Sequence, residues 1–390
     1  MVQCSQEEFM EHNKAPQLNT MQYARIDAAR FFCALLVVAI HVRPLESYTE
    51  LGNFLLDKGL CRIAVPFFFL VSGFFWARKP MTLKSLGSFL WRIAILYGLW
   101  TAIYYPVVLE SQDMTNYWRR CLLSGSYYHL WYYPAMFVAA ILTWIGFRLL
   151  APRAALMKPL KNRGGFVVLI GLVCYVIGCL GESYYGFFAE NEGITMLAEK
   201  YFALFWSTRS GLFFGFFFFA LGAYLQKARW RMSRRKAAVA LTVSFGLMAI
   251  EILVLRTLDV ARDYNLYFAL IPSTLFFFLW LTGRAEDGRS NDERSGAFGD
   301  PVWLTPGLCG FLRKSSVLIY GIHLWFKYYG VKWTMLVIVD GGSAWTGLAE
   351  LFVGNSLVQY IVVCLLSFVF AAVIIGLQKV PILKFLKYLY

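Results

Sequence analysis

Two residues that can do chemistry lie in one apolar segment near the start of this chain. Arg30 and His41 are separated by ten residues, FFCALLVVAI, which carry no charge. On an α-helix eleven positions make about three turns, so guanidinium and imidazole share one face, roughly 16 Å apart along the axis. In hydrocarbon each such group costs at least about 2.5 kcal/mol, so ionisable side chains usually face a bundle interior or a wet cavity. We therefore interpret this face, with one permanent cation and one titratable base, as a functional site.

The composition is that of a membrane protein. Of the 390 residues 59% are hydrophobic and only 15% are charged, and the mean hydropathy is +0.56, whereas about a quarter of the residues of soluble domains are charged. Apolar windows close to the length that crosses about 30 Å of hydrocarbon recur along the chain. The fold class that we predict is all-α, a polytopic integral membrane helical bundle. We expect about ten transmembrane helices, at residues 26–43, 60–77, 88–107, 129–147, 165–181, 210–226, 237–255, 265–283, 315–333 and 356–377.

The basic residues predict the orientation of this bundle. Lysine and arginine accumulate in cytoplasmic loops, and alternate loops such as 227–236 are rich in them. We therefore expect both termini to be cytoplasmic, with a cytoplasmic N-terminal segment at 1–25 and a transmembrane domain at 26–390. Residues 284–314 are polar and of mixed charge, and they predict a flexible cytoplasmic loop. The segment 182–209 leaves room for a re-entrant or interfacial piece.

The net charge of +14 has the same explanation. It reflects topology and attraction to the anionic headgroups of the lipid bilayer. A nucleic-acid partner is disfavoured, because the basic residues are dispersed among membrane loops rather than gathered on one face.

The eight cysteines do not predict a metal site. Most of them lie inside apolar windows, and they lack the close paired spacing of metal ligands. We interpret them as packing residues, because a buried free cysteine behaves as a small hydrophobic side chain. No metal is expected.

Three segments carry a family resemblance. The first predicted helix reads RIDAARFFCALLVVAIHV, the second contains VPFFFLVSGFF and the ninth contains SSVLIYGIHLWF. Together they resemble the membrane acyltransferase-3 family, whose first helix bears an arginine, ten residues and a histidine. YHLWYYP at 128–134, GESYYGFF at 181–188, TRSG at 208–211 and LYFALIP at 266–272 further resemble the membrane half of the membrane-bound serine racemases of vancomycin resistance. The sequence has no counterpart of their pyridoxal-phosphate racemase domain, so we expect no racemase activity.

The resemblance implies acyl transfer across a bacterial cell membrane. A cytoplasmic acetyl-CoA or other acyl-CoA is the implied co-substrate, and the acyl group is not an amino-acyl group. The acceptor approaches from the outer face and is an envelope glycan, a lipid-linked cell-wall precursor or a small amino compound. His41 and Arg30 are then the catalytic residues. His41 takes the proton of the acceptor, and Arg30 holds a phosphate or carbonyl oxygen of CoA.

Further ionisable residues are candidates for the two substrates. The acyl-CoA is assigned to Arg30, Lys79, Lys84 and Arg92. The family commonly has two basic residues three apart after the second span, whereas here Arg92 is followed by Ile95, and nearby lysines can substitute as point charges. Positive-inside topology explains Lys79 and Lys84 without a ligand. The acceptor is assigned to His129, Trp131, Arg209, Glu251 and His323. For the first two of these an interfacial anchor is the alternative.

A transporter is the alternative function. The related racemases are tied to the supply of serine outside the cell, which suggests serine or another amino acid as cargo in D-serine-type vancomycin resistance. Pro66 and Gly73 interrupt the second predicted span, and helices interrupted by glycine or proline are frequent in carriers. The spacing of Arg30 and His41 has a chemical rationale and favours the enzyme.

Overall fold

The computed structural model describes residues 20–150, 163–228, 230, 232–283, 305–340 and 345–390. Within these ranges the chain is helical and contains no strand, which confirms the all-α prediction. The helices are α1 (Thr20–Val42), α2 (Glu50–Trp76), α3 (Leu83–Ser111), α4 (Tyr117–Leu123), α5 (Tyr132–Leu149), α6 (Arg163–Leu180), α7 (Glu192–Phe205), α8 (Gly211–Ala228), α9 (Arg234–Leu258), α10 (Leu270–Thr282), α11 (Pro306–Asp340), α12 (Thr346–Gly354) and α13 (Ser356–Leu377). Each of the ten predicted spans overlaps one of these helices.

Six of the helices in the described ranges are long and apolar enough to cross a membrane: α2, α3, α5, α8, α9 and α13. Helices α6 and α10 are apolar but shorter. Helices α1 and α11 are long, but they carry the charged and polar side chains discussed below. The architecture is that of a multi-pass membrane protein. The count of ten spans and the cytoplasmic side of the termini stay predictions.

Helix α1 lies inside the bundle. It packs along α11 and also contacts α2, α10 and α13. Its buried residues include the small side chains Ala24, Ala28, Ala29, Ala34 and Ala39, and small residues allow helices to approach closely in membranes. The helix runs without a break through Arg30 and His41. It therefore places the two residues on one rigid element, as their spacing predicts.

The predicted loop 284–314 is shorter at its C-terminal end than we expected. Helix α11 already begins at Pro306, because proline is favoured in the first helical turn and the Thr305 hydroxyl caps the amide of Leu308 at 3.3 Å. Residues 1–19 of the predicted N-terminal segment and residues 284–304 of the loop lie outside the described residues.

The segment 182–209 contains a short 3₁₀ turn, Tyr185–Phe188, and helix α7. None of the residues of α7 is buried, and Leu197 is 70% exposed. An exposed helix with apolar side chains suits the membrane interface. The segment therefore contains an exposed helix, which agrees with the prediction of an interfacial piece.

Helices α2 and α8 cross at two glycines. A Cβ atom on Gly222 would overlap the carbonyl oxygen of Leu70, and one on Gly73 would overlap the carbonyl oxygen of Phe219. Gly73 therefore serves close packing. Helix α2 also continues through Pro66. Pro66 and Gly73 therefore do not interrupt the helix, although the transporter hypothesis predicts an interruption.

We expect Gly222→Ala to destabilise the fold. The methyl group meets backbone rather than a movable side chain, so the helices have to separate, and overpacking of this kind lowers the free energy of unfolding by about 1–3 kcal/mol or more. The measurement is the melting temperature and monodisperse yield of the protein in detergent. Gly98→Ala in α3 is the control, because no atom lies within 4 Å of the added methyl group. If Gly222→Ala melts like Gly98→Ala, the close contact is not a feature of the folded protein.

Candidate active site

Three histidines from distant parts of the chain meet beside the C-terminal end of α1. The ring centroids of His41 and His323 are 5.3 Å apart, those of His129 and His323 are 4.9 Å apart, and those of His41 and His129 are 6.4 Å apart. His323 lies on α11 and His129 on the turn before α5, and both are buried. The cluster thus joins two helices, α1 and α11, and the turn before α5 around the proposed base.

Hydrogen bonds assign the protons on two of these rings. Nε2 of His129 lies 3.1 Å from the carbonyl oxygen of Gly321, and Nδ1 of His323 lies 2.9 Å from that of Tyr320. A carbonyl oxygen only accepts, so each of these nitrogens is a donor, and in a neutral ring the other nitrogen is an acceptor. Nδ1 of His129 and Nε2 of His323 are buried and have no partner among the described residues. His41 therefore lies beside two acceptors that lack a donor.

The imidazole of His41 faces a small cavity of about 30 Å³. No hydrogen bond to this ring comes from the described residues, whereas the backbone oxygen of His41 accepts one from Nζ of Lys327 at 2.5 Å. A lysine at the C-terminal end of α1 satisfies a free helix carbonyl. A cavity of this size holds about one water molecule. The ring is thus available to a small group rather than used in packing.

Two guanidinium groups line the same small cavity. Nη1 of Arg62 and Nη1 of Arg209 both donate to Oδ1 of Asn265, at 2.6 and 3.1 Å. The guanidinium of Arg209 also lies 4.8 Å from the centre of the Trp131 ring, a cation–π contact. The cavity therefore has imidazoles on one side and a pair of fixed cations on another.

Carboxylates hold this polar wall in place. Nη2 of Arg62 lies 3.3 Å from Oδ1 of Asp57. Nδ2 of Asn265 donates to Oδ2 of Asp263 at 2.6 Å and to Oε2 of Glu182 at 3.2 Å. Each group is thereby oriented by a neighbour, which keeps the two guanidinium groups where they are.

The two loop carboxyls of this network have opposite pKa shifts. Burial raises the pKa of Glu182. Burial also opposes ionisation of Asp263, but the charges of Arg62, Lys58 and Arg209 outweigh it, and the pKa of this carboxyl lies below its usual value. Asp263 is therefore ionised at neutral pH and balances part of the positive charge of the wall.

The positions of Asp57 and Arg62 depend on an irregularity in α2. The helix contains a π-helical turn at Leu55–Gly59, followed by a 3₁₀ turn at Leu60–Ile63, before it becomes α-helical again. Both side chains are buried. Helical irregularities of this kind are frequent at functional sites.

A large cavity of about 1150 Å³ lies near the N-terminal half of α1. Its wall contains seven basic side chains, Arg30, Arg78, Lys79, Lys84, Arg92, Arg313 and Lys314. Asp27 is the one carboxylate among its described lining residues. Its two oxygens lie 3.5 Å from Nη1 of Arg30 and 3.1 Å from Nη1 of Arg313. The cavity therefore keeps a large excess of positive charge.

Tyr320 lines both cavities. Its hydroxyl donates to the carbonyl oxygen of His129 at 2.5 Å, and its ring lies against the ring of His129 with centroids 5.4 Å apart. One side chain thus forms part of the partition between the cavity of Arg30 and the cavity of His41.

The structure distributes the predicted site residues between the two cavities. All four residues assigned to acyl-CoA, Arg30, Lys79, Lys84 and Arg92, line the large cavity. The small cavity is lined by His41, His129, Trp131 and Arg209. His323 does not line the small cavity but packs against His41 and His129. Their roles in binding or catalysis stay predictions.

Glu251 lies elsewhere. Its two oxygens accept from the amides of Phe268 and Ala269, each at 2.6 Å, and Oε1 also accepts from the hydroxyl of Tyr184. The amides precede α10, so the carboxylate satisfies the free N–H groups at the start of that helix. Glu251 is not among the side chains that line the small cavity, and its oxygens cap the start of α10. Its assignment to the acceptor stays a prediction.

Sequence reasoning missed three residues of the small cavity. Arg62 falls inside the predicted span 60–77, so the rule for intramembrane charges was a signal that pointed to it. Asn265 stands at the first position of the span 265–283 and gave a weaker signal. Tyr320 gave none, because a tyrosine in an aromatic-rich helix resembles a packing residue.

The described residues offer no group of three or more histidine, cysteine, aspartate or glutamate side chains placed to hold a metal ion. The three histidines of the cluster are therefore not placed to hold a metal ion together.

The seven cysteines of the described ranges are free. Five of them are buried: Cys33, Cys61, Cys121, Cys179 and Cys309.

Comparison with known proteins places this helical bundle in a family. Residues 23–376 match the family model described as "Acyltransferase domain". The chain therefore belongs to the acyltransferase-3 family. No solved structure matches it.

The curated relatives carry another name. The chain is 31% identical over 365 residues to a protein of Enterococcus faecalis named amino-acid racemase. The matched region covers 91% of this chain and 45% of that protein. It is 29% identical over 269 residues to the serine/alanine racemase of Enterococcus gallinarum, covering 66% of this chain and 36% of the relative. A second amino-acid racemase of Enterococcus faecalis is 25% identical over 91% of this chain and 46% of its own length. The chain thus spans less than half of the length of these relatives.

Proposed function

We propose that the protein is a membrane acyltransferase, which moves an acyl group, acetyl foremost, from a cytoplasmic acyl-CoA to an acceptor that enters from the outer face. The acceptor is an envelope glycan, a lipid-linked precursor or a small amino compound. The observation that carries the proposal is the pair of cavities at the two ends of the α1 face. One is large and basic and contains Arg30, the other is small and contains His41, and Tyr320 borders both.

The large cavity suits an acyl-CoA. Its volume of about 1150 Å³ lies just above the range of about 300–1,000 Å³ for small-molecule pockets, which suits a ligand as large as an acyl-CoA. CoA carries several phosphate charges at one end, and arginine and lysine are the usual phosphate-binding side chains. The aromatic side chains of Phe68, Phe75 and Tyr132 line the same cavity and offer contacts to the less polar pantetheine arm. The arm has to cover the roughly 16 Å between Arg30 and His41 to bring the thioester to the base.

In the proposed reaction His41 takes the proton of the acceptor hydroxyl or amine. The freed lone pair attacks the thioester carbonyl carbon, the carbon–sulfur bond breaks, and the proton on His41 passes to the departing CoA thiolate. The two free acceptor nitrogens of His129 and His323 favour this cycle, because a protonated His41 has a further N–H to donate. Arg30 holds the donor and does not contact the reacting atoms.

A serine transporter is the second candidate. The observation that favours it is the irregular stretch of α2 at residues 55–63, which carries the buried charges of Asp57 and Arg62. Broken helices with polar side chains near the substrate are common in secondary transporters.

Proteoliposomes loaded with radiolabelled acetyl-CoA distinguish the two functions. For an acyltransferase we expect purified protein to bind acetyl-CoA in calorimetry and the label to appear on an acceptor fraction added outside, because the two substrates occupy separate cavities. A double variant, Lys79→Gln with Lys84→Gln, tests where acetyl-CoA binds. It removes two positive charges from the large cavity and should weaken binding of acetyl-CoA. A protein that binds no acetyl-CoA but accumulates external serine contradicts the acyltransferase and supports the transporter.

A further inference from the structure

Arg209 is a partly buried cation with few hydrogen-bond acceptors around its guanidinium group. Its one hydrogen bond from the guanidinium, to Oδ1 of Asn265, is shared with Arg62. Within the described part of the chain no carboxylate lies within 4 Å of it, and Trp131 covers one face of the guanidinium. The remaining donors of Arg209 belong to a side chain that lines the small cavity.

The neighbouring charges are already engaged. Arg62 is tied to Asp57 through Nη2 and Nε. Asp263 and Glu182 accept from Asn265, and Lys58 lies 3.6 Å from both Asp57 and Asp263. Among the described residues the carboxylates therefore pair with Arg62, Lys58 and Asn265, and Arg209 is left on the cavity wall without a direct carboxylate partner. Taking a cation out of water without a direct counter-ion is unfavourable, so an anionic ligand at this position would supply what the protein does not.

We propose that the acceptor carries an oxyanion, a carboxylate or a phosphate, that binds Arg209 beside Arg62. This rests on the proposed function and names the substrate class of the same site. Guanidinium presents a planar fork that matches the two oxygens of such a group. His41 and Arg209 line the same small cavity, so the oxyanion and the reacting hydroxyl or amine are close together in the acceptor. The cavity holds about one water molecule, so binding of the acceptor has to widen it. Neutral sugars without a nearby oxyanion are poor acceptors under this proposal.

Three small probes test the oxyanion site in purified full-length protein without any acyl-CoA. Glycolate offers a hydroxyl and a carboxylate, glycerol 3-phosphate offers a hydroxyl and a phosphate, and glycerol offers hydroxyls alone. At matched ionic strength we expect one or both anions to raise the melting temperature and to change tryptophan fluorescence, whereas glycerol does neither. The anion that acts distinguishes a carboxylate from a phosphate acceptor. Trp131→Phe should remove the fluorescence response but keep the thermal one, because the indole stacks on Arg209.

Arg209→Gln should weaken binding of the active anion by about tenfold or more, since a hydrogen bond to a charged group contributes about 1.5–3 kcal/mol. Arg209→Lys keeps the charge and should have an intermediate effect, which covers the case in which the glutamine variant fails to fold. Arg256→Gln is the control, because Arg256 pairs with the exposed Glu50 and does not line the cavity. Equal anion binding by wild type and both Arg209 variants, or no response of the wild type to either anion, overturns the proposal.

The same experiment separates this inference from the proposed reaction. Anion binding by a protein that transfers no acyl group would refute the acyltransferase and leave the oxyanion site standing. Acyl transfer to glycerol without any anion binding would refute the oxyanion site and leave the acyltransferase standing.

Discussion

His41→Gln is expected to lower acyl transfer by about 10²- to 10⁴-fold, the usual contribution of a general base, and to leave acetyl-CoA binding unchanged. Glutamine is close in size and can hydrogen-bond, but its amide cannot take up a proton at neutral pH. His41 faces the small cavity, whereas the large basic cavity that we propose for acyl-CoA is lined by other residues. The measurement is transfer of labelled acetyl groups to the acceptor fraction at matched protein level, with calorimetric binding of acetyl-CoA alongside.

The control for this prediction is His12→Gln, the same exchange at the remaining histidine of the sequence, which precedes α1 and lies before the described residues. It should transfer like wild type. Transfer by His41→Gln within a factor of a few of wild type would remove His41 from the mechanism, and the three-histidine cluster would then be a packing feature.

Arg30→Lys is expected to weaken acetyl-CoA binding by about tenfold, although the charge is kept. Guanidinium can grip two oxygens in one plane, and ammonium offers a compact point charge instead. Arg30 also shares Asp27 with Arg313 and lies 4.9 Å from the centre of the Phe75 ring. A lysine would lose this planar stacking, so its amine would be held less firmly against the ligand. Calorimetry with acetyl-CoA measures the loss, and thermal melting checks that the fold is intact.

Arg25→Lys is the matched control, since it makes the same exchange on the same helix. Arg25 donates to the backbone oxygens of Leu281 and Gly283 and does not line the large cavity. Its acetyl-CoA affinity should stay at the wild-type value. If Arg30→Lys binds acetyl-CoA as tightly as Arg25→Lys does, the role of Arg30 is purely electrostatic, and a transport path becomes the better interpretation of this face.

Tyr320 connects the two predictions. In the proposed reaction donor and acceptor approach from separate cavities, so the thioester has to pass the side chain of Tyr320 to reach His41. The hydroxyl of Tyr320 is anchored to the backbone of His129. A substrate bound in either cavity would therefore contact a residue that also lines the other cavity.

Local patterns in the sequence determined much of this protein. Long apolar windows predict helices wherever they occur, because a chain in hydrocarbon must satisfy its backbone internally, and a helix lies at each predicted span. The spacing of Arg30 and His41 predicts one helical face, since that geometry depends only on the helix itself. The basic cluster Lys79, Lys84 and Arg92 was also readable, because charges close in sequence near the ends of adjoining helices have little room to separate.

The tertiary structure alone decided which distant residues meet. His129 and His323 are nearly 200 positions apart. The packing of α11 against α1 brings His323 to His41, and contacts of the turn before α5 with Gly321 and Tyr320 bring His129 there. Glu251 was a charge inside a span like the others, yet its place beside the start of α10 makes it a cap. The turn irregularity of α2 that buries Arg62 has no local signature in the apolar sequence around it. Contacts of this kind depend on how whole helices pack, and helix packing is set by the shapes of all the partners together rather than by any one segment.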